Sequence, residues 1–185
     1  MARTPSNMLP LGTIAPDFSL QDTVSDKILN LNDLKGSKGT VIMFICNHCP
    51  FVIHINSELV LLANDYQSKG ISFIAISSND VENYPQDGPN KMKRHAVSEG
   101  YPFPYLYDET QDIAKAYDAA CTPDLYLFNA NLKLNYRGQL DDSRPGNGIP
   151  LSGKDLRHAI ECLLGGIENT ETQKPSIGCN IKWKL

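Results

Sequence analysis

The spacing of apolar positions along this chain changes period in step. Residues 40–45, Thr-Val-Ile-Met-Phe-Ile, form an unbroken run rich in β-branched and aromatic side chains, which predicts a strand covered on both faces, as in the middle of a mostly parallel sheet. From Pro50 to Lys69 the period lengthens. Val52, Ile55, Leu59, Leu62, Ala63 and Tyr66 recur at helical intervals, and Gly70 stands where a helix takes its closing glycine. Residues 71–78 predict a second buried strand, and residues 88–100 a helix bounded by Gly88 and Gly100. The resulting order of strand, helix, strand, helix is that of an α/β domain.

The flanking segments are shorter. Residues 17–34 predict two strands around a turn followed by a small helical piece, a lead-in hairpin; residues 1–16 are rich in Pro and small side chains. After the apolar Phe103–Asp108 and a helical stretch at 110–119, residues 124–130 and 132–138 predict two strands joined at Asn129-Ala130-Asn131, because asparagine tolerates the left-handed backbone of a tight turn. A helix over 153–166 closes the pattern. The chain therefore divides into one domain, residues 1–168, and a C-terminal tail, 169–185, polar until its last few residues and expected to be a mobile arm with an anchored end. No internal repeat or low-complexity tract interrupts it.

Composition narrows the classes of function. A chain of 185 residues buries a core without disulfide staples. With 41% hydrophobic and 21% charged residues and a net charge of -4, it lacks the basic excess that nucleic acids or anionic membranes attract, so neither is expected as a partner. The first twenty residues hold no apolar block long enough for a signal peptide, and nowhere do about 18 apolar residues run together to span a bilayer. A cytoplasmic location is expected. Five cysteines, at 46, 49, 121, 162 and 179, form an odd set with scattered spacing, unlike a secreted disulfide framework.

Two of those cysteines carry the candidate chemistry. Cys46-Asn47-His48-Cys49 follows the buried run and precedes the helical one. A cysteine held between a strand end and a helix start meets unsatisfied backbone amides and the positive end of the helix dipole, which lower a thiol pKa to roughly 3.5 to 7.5. On that basis Cys46, the first and more exposed cysteine of such a pair, is expected to be the attacking thiolate, and Cys49 the resolving partner. His48 supplies an imidazole that would stabilise the Cys46 thiolate and make the pair more oxidising. Two other readings stay open. The pair is also consistent with two buried thiols, or with half of a metal site, although no second pair of cysteines and only His54 at near-helical reach are available to complete one. No metal and no cofactor are expected. Downstream, Thr122-Pro123 stands directly before a strand, where a cis proline facing the cysteines would expose backbone groups to an extended substrate.

These residues resemble the thioredoxin superfamily. Within it, Leu11-Gly-Thr-Ile-Ala-Pro-Asp-Phe-Ser-Leu-Gln-Asp22 is similar to the lead-in of the alkyl hydroperoxide reductase and thiol-specific antioxidant branch, and the resemblance covers about residues 9–165. It implies a thioredoxin-like α/β fold, a central mixed sheet flanked by helices, preceded by an N-terminal β-hairpin and followed by a C-terminal extension. The peroxiredoxin pattern Pro-x-x-x-Thr-x-x-Cys, laid on this chain, puts Cys49 at the peroxidatic position, Cys46 where Thr belongs and Ile42 where Pro belongs; the peroxide-polarising arginine falls near Thr122-Pro123. The likeness is thus to a peroxiredoxin-like subgroup carrying a thioredoxin-type CxxC. Departures from thioredoxin are the absence of Trp before Cys46, Asn-His as the inner dipeptide, and Thr40 where thioredoxins place a buried carboxylate.

The implied activity is that of a thiol-disulfide oxidoreductase, with a protein or small-molecule disulfide or dithiol as substrate and a thioredoxin or glutathione system as reductant. Thr122-Pro123 would form the substrate edge, and Cys179 in the tail is a candidate third redox cysteine. A thiol peroxidase using Cys49 is the nearest rival. A thioredoxin-like copper metallochaperone is a further one, but its CxxxC spacing is one residue longer than the spacing here.

Overall fold

Strand β4 (Gly39–Phe44) is buried at all six positions, as the unbroken apolar run predicts. The computed structural model describes residues 3–184. Strand β4 pairs in parallel with β5 (Ile71–Ser77) and antiparallel with β8 (Asp124–Asn129). Around these three the sheet extends through β6 (Tyr105–Tyr107), β2 (Ser19–Asp22) and β3 (Ile28–Asn30) on one side and β9 (Leu134–Gly138) on the other, in the order β3-β2-β6-β5-β4-β8-β9. It is a mixed seven-stranded sheet. The predicted lead-in hairpin is β2 with β3, and Leu31–Leu34 forms the short helix α1 after it.

Each face of the sheet buries its own core. Val41, Met43 and Ile45 alternate with Ile42 and Phe44, so β4 feeds both. On one face lie α2 (Pro50–Tyr66), α3 (Pro89–Glu99) and α5 (Lys154–Gly165), whose inward residues include Leu59, Leu62, Met92, Leu156 and Ile160. Side chains of this kind contribute roughly 1.5–3 kcal/mol each when fully buried. Helix α4 (Asp112–Ala116) and the segment around Ala15 and Phe18 cover the other face. Both Cys46 and Cys49 belong to the first core, at the carboxyl end of β4 where α2 begins.

Two expectations change in the structure. The left-handed residue of the β8–β9 turn is Leu132 (φ 57), not an asparagine; Asn129 instead folds its side-chain oxygen back to accept the amides of Asn131 and Lys133, which fixes the turn by side-chain hydrogen bonds. The tail, moreover, is built into the fold from Gln173 onward. The Gln173 side chain binds Arg137, the Lys174 carbonyl accepts the Gln139 amide, and Ser176 is buried between Ser6 and Gly138. Beyond it, β10 (Ile177–Asn180) lies between β1 (Arg3–Pro5) and β7 (Cys121–Thr122) in a second, three-stranded antiparallel sheet. Backbone pairing holds this segment together with the burial of Cys179 in one core and Ile181 in the other, so the expected anchored end is present and the ordered part begins earlier, at Gln173.

Three side chains of the sheet, Ser77, Asp124 and Arg137, each keep one buried polar atom without a hydrogen-bond partner among the described residues. Asp124 at the start of β8 takes the Ala120 amide on one oxygen, while its other oxygen, Oδ1, is the atom left without a partner among the described residues. Burial pushes its carboxyl up to about 7.

The approach of β10 to β7 depends on Gly178, because a Cβ there would overlap the Thr122 carbonyl. Gly178→Ala is therefore expected to destabilise the chain by about 1–3 kcal/mol, as overpacking does, and to raise amide exchange along 177–182. Urea denaturation and hydrogen exchange check this; an unchanged midpoint with unchanged protection would show that the strand accommodates the methyl group.

Candidate active site

Helix α2 begins at Pro50, so its N-cap is Cys49, with an extended backbone at φ -71 and ψ 120. Proline at the first helical position costs no hydrogen bond there. Cys46 therefore lies three residues before the N-cap, and the expectation that Cys46 sits at the helix terminus is corrected: that place belongs to Cys49, whose backbone carbonyl accepts the Val52 and Ile53 amides.

Four groups lower the Cys49 thiol below the ordinary cysteine range, against its own burial. The largest effect is a hydrogen bond from Cys46; the Cys179 thiol, Thr122 and the Val52 backbone N–H add to it. The Thr122 carbonyl, 3.1 Å from Cys49 Sγ, accepts from the sulfur when it is protonated and opposes the thiolate. Cys46 moves the other way. Its bond to Cys49, its burial and the charge of Asp87 all hold its proton on, and only Thr122, whose hydroxyl is 3.5 Å from Cys46 Sγ, favours the thiolate. The two sulfurs titrate as a pair, and their surroundings lower Cys49 and raise Cys46.

Asp87 was invisible in the sequence. It ends a 3₁₀ turn, Pro85–Asp87, and its side chain is fully buried. It accepts the Asn47 amide at 2.9 Å, His48 Nδ1 at 2.6 Å and Asn79 Nδ2 at 2.8 Å. The Asn47 side chain bonds in turn to the Gln86 carbonyl and receives the Tyr105 hydroxyl. The inner dipeptide is thus stapled to a turn about forty residues away, and His48 stacks on Tyr84. His48 Nδ1 is 3.9 Å from Cys46 Sγ but 2.6 Å from the Asp87 carboxylate, so its ring is directed at the acid rather than at the thiol it was expected to stabilise. Thr40, in the place of the thioredoxin carboxylate, accepts the Gly36 amide and holds the strand entry instead.

The structure brings Cys46, Cys49, His48, Thr122 and Cys179 together. The Thr122–Pro123 peptide is cis. Its edge is not open, however: Thr122 pairs with Cys179 of β10, so the chain's own strand occupies the expected substrate edge. Cys121 is buried and bonded to the Pro123 carbonyl, and Cys162 sits on α5 beside His158. Cys46, His48 and Asp87 each direct one potential ligand atom to within 4.8 Å of the others. Asp87 Oδ2 already serves two donors there, which leaves it poorly placed to bind an ion.

Residues 11–137 match the family model of the AhpC/TSA family. The chain belongs to this family. An uncharacterized conserved protein of Geobacillus kaustophilus is similar over the whole chain, at 61% identity and a TM-score of 0.98, with 97% of that protein covered. A hypothetical protein of Sinorhizobium meliloti is 45% identical with a TM-score of 0.95, over 98% of each chain. More distantly, the thioredoxin domain of a thiol-disulfide oxidoreductase from Bacteroides vulgatus shares the fold at 19% identity and a TM-score of 0.65, over 84% of this chain and 99% of that one. No curated protein matches the sequence. Family and fold together place this AhpC/TSA member among the redox enzymes of the thioredoxin superfamily. Among the described residues, no helix is long and apolar enough to cross a membrane.

Two titrations check the charge assignment. Thiolate absorbance should show one sulfur per chain ionising well below the pH of free cysteine, and Cys49→Ser should abolish that step. Survival of the step in Cys49→Ser would return the charge to Cys46. In the Cys49→Ser background, adding Asp87→Asn removes the carboxylate that holds the Cys46 proton, so Cys46 should ionise at a pH lower by roughly 1 unit.

Proposed function

We propose that this protein is a thiol-disulfide oxidoreductase whose redox couple is Cys46 and Cys49. The observation that carries this is the placement of Cys49 at the N-cap of α2, with the Cys46 and Cys179 thiols beside it lowering its ionisation. The Cys49 thiolate attacks a substrate disulfide, one substrate thiolate leaves, and Cys46 then attacks Cys49 Sγ to release the second. The dithiol becomes a disulfide and the substrate gains two electrons. A thiol reductant such as a thioredoxin or glutathione system restores the dithiol. Cys46, expected from the sequence to attack, acts here as the resolving thiol.

Substrate must first be admitted, because Cys46 and Cys49 are 1% and 0% exposed. The staple from Asp87 through Asn47 and His48 is the part of the wall nearest Cys46, and His48, 18% exposed, is its partly open side. His48 and Asp87 act as positioning residues: together they set the loop, and the Asp87 charge holds the proton on Cys46. The AhpC/TSA frame and the reduced thiols suit a reducing compartment, and the cytoplasm is the location proposed.

A second reading is favoured by one observation. Cys49, the sulfur whose ionisation is lowered, also stands at the peroxidatic position of the family pattern, as a thiol peroxidase would require. Opposing it, no arginine hydrogen-bonds either sulfur among the described residues, and Thr122–Pro123 stands in the region where that pattern expects one; peroxide reduction needs such donors on the leaving oxygen.

In a Cys179→Ser background, insulin reduction and oxidation of a dithiol peptide should proceed, yield a mapped Cys46–Cys49 disulfide, and fall to the uncatalysed level in Cys49→Ser. Hydrogen peroxide should be consumed slowly. Fast peroxide turnover that needs Cys49 but survives loss of both Cys46 and Cys179 would overturn the oxidoreductase reading in favour of the peroxidase.

A further inference from the structure

Strand β10 brings a side chain to the site as well as a backbone. Thr122 of β7 pairs with Cys179, and Cys179 Sγ stands 3.0 Å from Cys49 Sγ. Cys49 is flanked by thiols from two directions, Cys46 in its own loop and Cys179 from 130 residues downstream. A disulfide bond measures about 2.03–2.05 Å, so roughly 1 Å of movement would join Cys49 to Cys179.

The position of Cys179 is built rather than incidental. β1 pairs with β10 on its outer side, with Arg3 opposite Cys179, and β7 pairs on the inner side. Gly178 lets the strand lie against the Thr122 carbonyl. Immediately after it, the Ile181 amide donates to Ala120, and Lys182 exchanges backbone bonds with Asp80 and the Asn79 side chain. Asn79 is also a donor to Asp87, so the anchor of the strand and the staple of the cysteine loop share a residue.

We propose that Cys179 is a second resolving cysteine for Cys49, so that the site forms two alternative disulfides, Cys46–Cys49 and Cys49–Cys179. This rests on reading Cys49 as the sulfur that takes the substrate. Once Cys49 carries one half of a substrate disulfide, Cys179 attacks Cys49 Sγ: the Cys49–Cys179 bond forms, the bond from Cys49 to the substrate sulfur breaks, and the substrate leaves as a thiol with the proton Cys179 gives up. Two electrons pass from the Cys49/Cys179 dithiol to the substrate disulfide. The same attack on a Cys46–Cys49 disulfide moves the bond to Cys49–Cys179 and returns Cys46 as a thiol, with no net change in oxidation.

The test uses the full chain with Cys46→Ser, reduced and then treated with glutathione disulfide, quenched with acid and mapped by mass spectrometry without reduction. Trypsin leaves Cys162 and Cys179 on one peptide, since Lys174 precedes Pro175, and fragmentation must place the bond at Cys179. The expected course is transient glutathionylation of Cys49 followed by a Cys49–Cys179 cross-link that carries no glutathione. In Cys46→Ser with Cys179→Ser, the mixed disulfide on Cys49 should persist on the order of tenfold longer or more. Equal persistence in the two variants, or a Cys46→Ser chain that forms no Cys49–Cys179 link, overturns the proposal. The reading of Cys46 and Cys49 as the redox pair fails separately, by absence of their disulfide in Cys179→Ser.

Discussion

Three thiols meet in the interior of this protein, and the bonds among them decide how readily Cys49 gives up its proton. A buried charge is costly unless hydrogen-bonded, and here the bond from Cys46 lowers the Cys49 thiol most, with the Cys179 thiol, Thr122 and Val52 adding to it. The rest of the arrangement follows from that constraint. Strand β4 must be central and rigid to hold the helix start in register. Asp87, a second buried negative group, must lie on the Cys46 side of the pair, where its charge holds a proton in place instead of competing with the thiolate.

The two sheets divide the work. The seven-stranded sheet fixes the cysteine loop through β4 and the Thr122 carbonyl through the start of β8, and its apolar faces provide the stability. The three-stranded sheet is the smaller of the two. What it provides is position, since its pairing sets Cys179 opposite Thr122 and closes the site from the side.

How much of this could be read in the sequence follows from the range of the interactions. The strand, cysteine pair and helix around 40–69 are local, and their apolar period shows them directly; the glycines at 70 and 100 adopt the left-handed caps that pattern asks for. Asp87 sits in Pro-Gln-Asp-Gly, a run that reads only as a turn, and its partners Asn47, His48 and Asn79 lie on other elements. Cys179 lies in a polar stretch whose order comes from backbone pairing with residues more than fifty positions earlier, which no periodicity reports. The helix starts at Pro50, as its apolar period predicts, and that start gives the N-cap to Cys49 and leaves Cys46 three residues before it.

The lone oxygen of Asp124 gives the fold an acid side and an alkaline side. Its carboxyl ordinarily ionises near 3.8, and the native environment holds it to about 7, so folding strongly favours the neutral form. Below the lower value this acid imposes no penalty; as pH rises toward 7 the unfolded chain releases the proton first, and above it the native state carries a burden of a few kcal/mol. Asp124 begins the strand that directly follows Thr122–Pro123. The rise from acid to neutral pH thus loosens the scaffold at the very margin of its sulfur chemistry, and a further rise above 7 adds nothing to that loss.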